Sequence, residues 1–127
     1  MRRKWKVIVP VLALLATCLL FRFVLFIGYV PSESMEPTLK KWSIIVGSRL
    51  FGELKAGDII VFWHEGKLLV KRIAATEGNV VSHCGKLLTV LERCFYVQGD
   101  NVGNSWDSRY WGIPFVRKDE VTARLIQ

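Results

Sequence analysis

The chain has 127 residues, 51% of them apolar, with 18 basic and 11 acidic side chains and a net charge of +7. That length allows one domain and excludes large multidomain enzymes. No fixed-period repeat marks a solenoid, and the chain is too apolar to be disordered. The excess charge suggests a nucleic-acid protein until it is located. Arg2, Arg3, Lys4, Lys6 and Arg22 supply +5 of it, while residues 23–127 carry thirteen basic against eleven acidic groups. A nucleic-acid face needs basic residues clustered on the domain, so no nucleic-acid partner is expected.

Val7 to Phe21 is a run of fifteen residues without a charge. A bilayer core of roughly 30 Å asks for about 20 helical residues. The run reaches that with its flanks, Trp5 at headgroup level and Lys6 and Arg22 snorkelling outward. Pro10 lies near the start, where its missing N–H costs a helix least. The positive-inside rule keeps the basic tip in the cytoplasm. The expected division is therefore a cytoplasmic tip and transmembrane anchor over residues 1–22 and an extracytoplasmic domain over 23–127, a single pass of the plasma membrane. A cleavable signal peptide shares the basic start, but no A-x-A-like site follows. Leu15-Ala16-Thr17-Cys18 weakly resembles a lipoprotein box, followed here by bulky residues. Each alternative exports the domain.

Exported cysteines can form disulfides, and Cys84 with Cys94 is the pair to consider. Cys18 reads as a small apolar residue of the span. His64 and His83 have no ligand-like spacing, so no metal and no other cofactor is expected.

Period-2 patterns and short apolar runs dominate the rest. Strands are expected over Phe23–Val30, Ser43–Val46, Asp58–Trp63, Leu68–Ala75, Asn79–Cys84, Leu87–Leu91, Phe95–Gln98 and Val121–Ile126. His64-Glu65-Gly66-Lys67 and Cys84-Gly85-Lys86 read as hairpin connections. The fold class is all-β, a small barrel-like or folded antiparallel sheet behind one N-terminal helix. With the first strand directly after Arg22, the domain should rest against the lipid bilayer.

Three strings concentrate reactive side chains. In Pro31-Ser32-Glu33-Ser34-Met35-Glu36-Pro37-Thr38-Leu39 two prolines stiffen a loop that can present a serine hydroxyl. Read blandly, it is a Ser/Pro turn. In Leu68-Leu69-Val70-Lys71-Arg72-Ile73-Ala74-Ala75, adjacent charges on an alternating strand force one of them inward. A lysine buried there drops toward roughly 5–6 in pKa and becomes a competent base; on an edge strand it would instead blunt aggregation. The third string, Gly99-Asp100-Asn101-Val102-Gly103-Asn104-Ser105-Trp106-Asp107-Ser108-Arg109-Tyr110-Trp111-Gly112, is a turn rich in hydrogen-bonding groups. No histidine lies within any of the three, which leaves a Ser-His-Asp triad with little support. A serine with a desolvated lysine remains as the candidate pair.

Taken in order, these strings resemble bacterial type I signal peptidases. Ser32-x-Ser34-Met35-x-Pro37-Thr38-Leu39 matches the nucleophile box, Gly57-Asp58-Ile59-Ile60-Val61-Phe62 the next, Lys71-Arg72-Ile73 the lysine box, and the Gly99–Gly112 string the last. The resemblance implies a membrane-bound serine endopeptidase that removes signal peptides of exported preproteins after Ala-x-Ala-type small residues. Ser34 would be the nucleophile and Lys71 its general base, with Ser32 and the N–H of Ser34 as oxyanion donors. Ser105, Asp107, Arg109 and Arg72 would support them. Val30, Met35, Leu39, Leu69 and Val70 would line the specificity pockets.

Two features depart from that pattern. Val102 and Gly103 stand where Arg and Asp are usual, and Glu77 and Asn79 where Pro and Asp are usual. Only 26 residues separate Arg72 from Gly99, which leaves no room for the large β insertion of many Gram-negative relatives. Other readings are a self-cleaving repressor peptidase, which would want a DNA-binding domain, and a non-catalytic or specialised protein assisting surface-fibre or pilin assembly. Retention of both Ser34 and Lys71 speaks against the last.

Overall fold

The computed structural model describes residues 2–126. Helix α1 (Arg2–Phe23) takes up the basic tip and the apolar run. Its 22 residues rise about 33 Å at 1.5 Å each, enough for a hydrocarbon core of roughly 30 Å. None of its described side chains is buried against the rest of the protein. Pro10 lies inside the helix rather than in its first turn, so the Lys6 carbonyl lacks its usual donor.

Arg49 caps the far end of this helix. Its Nε donates to the Phe21 and Leu25 carbonyls, each at 3.0 Å, and its backbone N–H to Val24 O at 2.7 Å. The guanidinium also lies 5.3 Å from the Phe26 ring centre. Cations at a helix C-terminus satisfy orphan carbonyls and complement the dipole. The helix is thus tied to the sheet without a linker.

The strands are β1 (Leu25–Tyr29), β2 (Ile44–Ser48), β3 (Ile59–His64), β4 (Lys67–Thr76), β5 (Val80–His83), β6 (Lys86–Thr89), β7 (Cys94–Gln98), β8 (Val116–Arg117) and β9 (Val121–Leu125). Seven form one sheet in the order β1-β2-β9-β3-β4-β7-β8, and β5-β6 is a separate ribbon; every pair is antiparallel. The domain is all-β, as its patterning implies, and each anticipated strand has a counterpart. The two-residue β8, paired with Cys94 and Phe95, carries no alternation long enough to be read from sequence.

Two turns fix the hairpin registers. Glu65-Gly66 joins β3 to β4 with φ of 49° and 75°, and Cys84-Gly85 joins β5 to β6 with 52° and 77°. Two successive positive-φ residues match the right-handed twist of the flanking strands.

Ile59 to Phe62 are all buried, because the central strand β3 is covered on both faces. Ile60 and Phe62 pack with Ile73, Val97 and Trp111. Ile59 and Val61 pack with Phe26, Val30, Met35 and Ala123. Truncating a fully buried Phe such as Phe62 to Ala costs about 3–5 kcal/mol.

The disulfide considered between Cys84 and Cys94 is not formed; both are free thiols. Cys84 is exposed at a hairpin tip, whereas Cys94 is buried with Ala75, Val90 and Tyr96 beneath the ribbon.

Candidate active site

Residues 31–42 form a loop between β1 and β2, closed at its base by Val30. The Val30 N–H donates to Ser43 O at 3.0 Å, and its carbonyl accepts from the Trp42 N–H at 2.6 Å. Met35, with no exposed surface, plugs the loop into the core beside Phe26 and Val61. Burying Met35 leaves the adjacent Ser34 fixed at the rim of an apolar cleft of about 430 Å³. Phe26, Val30, Ile45, Val61, Leu68 and Val70 supply its apolar walls, and Ser32, Ser34 and Lys71 its polar ones.

Lys71 sits mid-strand on β4 and is 4% exposed. Burial lowers its pKa from 10.5 to about 8; Asp107 pulls it back up and Arg109 adds a smaller push downward. Its Nζ donates to Ser105 Oγ at 3.1 Å, and that hydroxyl donates onward to Asp107 Oδ2 at 2.7 Å. Asp107 is fully buried. Burial pushes its carboxyl up, but donations from Arg109, the Gly99 N–H and Ser105 outweigh this and hold it below the usual carboxylate range. Arg109 binds it with two prongs, Nε to Oδ1 at 2.9 Å and Nη2 to Oδ2 at 2.8 Å. A buried carboxylate satisfied on this scale is a rigid support.

A second acid–arginine pair steadies the other flank. Arg72 donates from Nε and Nη2 to Asp100 at 2.9 and 2.8 Å, and from Nη1 to Gly57 O at 2.7 Å. Asp100 also accepts from the Thr38 hydroxyl. Asn101 completes the clamp, its N–H donating to Ser34 O at 2.9 Å and its side chain to Glu33 O at 3.0 Å. The serine loop is thereby fastened to the 99–105 turn, which carries the lysine's partner.

Ser34 Oγ is itself paired with Ser32 Oγ at 3.2 Å. The serine and the lysine share one cleft, each held by another hydroxyl rather than by the other. Catalytic hydrogen bonds are often long before substrate enters.

Ser32, Ser34, Lys71, Val30 and Val70 converge on the cleft, and Ser105, Asp107, Arg109 and Arg72 stand behind it. Three expected pocket residues do not line it. Met35 is beneath the cleft, Leu39 packs on the same buried cluster, and Leu69 packs on the opposite cluster with Phe62. On β4, Leu68, Val70 and Lys71 reach the cleft, whereas Leu69 and Ile73 pack into the opposite cluster. Ser108, which sequence reading passed over, locks the turn to β7 by exchanging hydrogen bonds with Val97 at 2.9 and 3.1 Å. Among the described residues no three His, Cys, Asp or Glu side chains converge as a metal site. A larger cavity of about 700 Å³ around His64, Trp106, Trp111 and Phe115 holds none of these serines or lysines.

The family model described as signal peptidase, peptidase S26, matches residues 2–95 and 82–126. Signal peptidase I of Leptolyngbya laminosa is 28% identical over 82% of this chain and 68% of its own length. Probable signal peptidase I-2 of Synechocystis sp. is 30% identical, over 80% of this chain and 62% of its own. Mitochondrial inner membrane protease subunit 1 of Xenopus tropicalis is 35% identical, over 65% and 57%. The chain thus spans about two thirds or less of the length of these relatives. With both family segments covering nearly all of it, the chain belongs to the signal peptidase family, peptidase S26.

Proposed function

We propose that the protein is a membrane-anchored serine endopeptidase that cleaves signal peptides from exported preproteins after Ala-x-Ala-type sequences. The observation that carries this reading is a buried lysine of lowered pKa in the same cleft as a loop-held serine. Neutral Lys71 takes the proton of Ser34 as the Ser34 oxygen attacks the scissile carbonyl. The resulting oxyanion is stabilised by the Ser32 hydroxyl and the Ser34 N–H, donors worth roughly 10²–10³ in rate each. Protonated Lys71 then gives its proton to the leaving amine, the C–N bond breaks, and an acyl-Ser34 ester remains. Water, deprotonated by the same amine, hydrolyses that ester and restores both groups. Ser105 and Asp107 hold the amine in place throughout. The apolar walls of the cleft suit the apolar side chains of such a sequence.

The basic tip is assigned to the cytoplasm and the sheet domain to the outer face of the plasma membrane. An apolar strip on the β1–β2 ribbon supports contact with the bilayer: Ile27 opposite Val46, Tyr29 opposite Ile44, and Trp42 stacked on Tyr29 with centroids 6.1 Å apart. These five side chains are 41–76% exposed on the ribbon that follows the anchor. Amphipathic aromatic rings are favoured at such an interface.

The test incubates the detergent-solubilised chain with a model preprotein and sequences the new N-terminus. Cleavage after Ala-x-Ala is expected, and Ser34→Ala and Lys71→Ala should each abolish it while circular dichroism stays unchanged. Full activity in either variant rules the pair out.

A further inference from the structure

Glu33 stands between the two serines of the cleft, yet it is not among the cleft walls. Its carboxylate accepts from Asn104 Nδ2 at 3.3 Å and its backbone carbonyl from Asn101 Nδ2 at 3.0 Å. Its charge is therefore presented on the side of the serine segment that meets the 99–104 turn. Glu33 is solvent-exposed and forms no ion pair among the described residues. Two acidic neighbours are neutralised, Asp100 by Arg72 and Asp107 by Arg109, while Glu36 lies further along the loop and accepts from the Lys41 N–H. The facing turn contributes Val102 and Gly103, neither of which can neutralise it.

Resting on the Ser34/Lys71 reading, we propose that Glu33 sets substrate preference on the departing side of the scissile bond. It favours Lys or Arg within the first two residues of the released chain and disfavours Asp or Glu there. The acyl half of a substrate fills the apolar cleft, whose walls are the 26–34 stretch and the start of β4. The amine half leaves across the Ser32–Ser34 segment toward the turn, where Glu33 carries a charge with no ion pair among the described residues. Exposed ion pairs contribute about 0.2–1 kcal/mol, or roughly 1.4- to 5-fold in rate. Salt screens such pairs.

The experiment uses the full chain in uncharged detergent micelles and peptides sharing one Ala-x-Ala site. Lys, Ala or Glu occupies the first two positions after that site. The expected order of kcat/KM is Lys above Ala above Glu, with a Lys-to-Glu ratio of about fivefold at low ionic strength, falling toward unity at high salt. Glu33→Gln should flatten the order and Glu33→Lys should invert it. The salt titration on the wild-type chain decides the matter without any variant having to fold. Equal rates for Lys and Glu peptides at low salt, with cleavage intact, overturn this proposal alone. No cleavage of any peptide overturns the peptidase reading and this one with it.

Discussion

A Cβ placed on Gly99 would collide with the Oγ of Ser105 and come within 2.5 Å of the Ser34 carbonyl oxygen. Gly99 is therefore the contact point between the serine loop and the turn that supports Lys71. Its backbone N–H serves the same junction, donating to Asp107 Oδ2 at 2.8 Å. Two backbones approach here as closely as they can, so the spacing of the proposed nucleophile and base depends on a missing side chain.

Gly99→Ala should accordingly separate the two loops. Overpacking of this kind costs about 1–3 kcal/mol of stability, and a displacement near 1 Å can lower the rate by about 10²-fold. Melting temperature and kcat, measured together, check this. A variant that melts lower but turns over at the wild-type rate would show that the junction serves folding alone.

The pH dependence follows from the lysine. In the proposed mechanism only neutral Lys71 can accept the serine proton, and its pKa is lowered to about 8. Below that value kcat/KM should fall about tenfold per pH unit. Asp107→Asn removes the carboxylate that raises the lysine, so the limb should move toward lower pH in a pH–rate profile. Lys71→Arg should be inactive throughout, because guanidinium stays protonated.

Stability should run with the same group. Between about 8 and 10.5 the unfolded chain holds a proton on Lys71 that the folded chain lacks, so stability rises with pH across that window. Below it the amine remains charged and desolvated at a full cost. Lys71→Met should therefore unfold at a higher temperature than wild type at pH 7, with the gap closing toward pH 10. A lower melting temperature for the variant at pH 7 would contradict the desolvation argument.

Arg49 joins anchor and domain through the Phe21 and Leu25 carbonyls. Arg49→Ala should leave cleavage of a soluble peptide within about twofold, since the cleft is untouched. Cleavage of a membrane-inserted precursor should fall by a larger factor, because in the proposed arrangement the helix sets the height of the cleft above the bilayer. Comparing the two substrates in proteoliposomes measures this. A cation at a helix C-terminus is worth about 0.3–1 kcal/mol, up to about 2 where partly buried, so global unfolding is not expected.

The thiols give a direct chemical check. Cys84 should be alkylated within minutes in the native protein, whereas Cys94 should react only on unfolding, since burial raises its pKa as well as hiding it. Mass should be the same with and without reductant.

Periodicity and order determined much of this protein. The uncharged run after the basic tip read as an apolar helix, and alternation with Glu65-Gly66 and Cys84-Gly85 placed the strands. Adjacent Lys71 and Arg72 on one strand already required that one be drawn inward, and the boxes around Ser34 and Ser105 set the candidates. Those signals are local, carried by side-chain period and turn chemistry. The tertiary fold decided what depends on which faces meet. Leu69 and Met35 turned away from the cleft while Leu68, Phe26 and Ile45 entered it, because the cleft forms where the serine loop crosses the sheet. Gly99 became a spacer only when Ser105 and Ser34 closed on it, and Cys84 and Cys94 stayed apart because the ribbon carries one outward and buries the other. Contacts between residues some sixty positions apart, such as Thr38 with Asp100, leave no periodic trace in the chain and exist only once the sheet has closed.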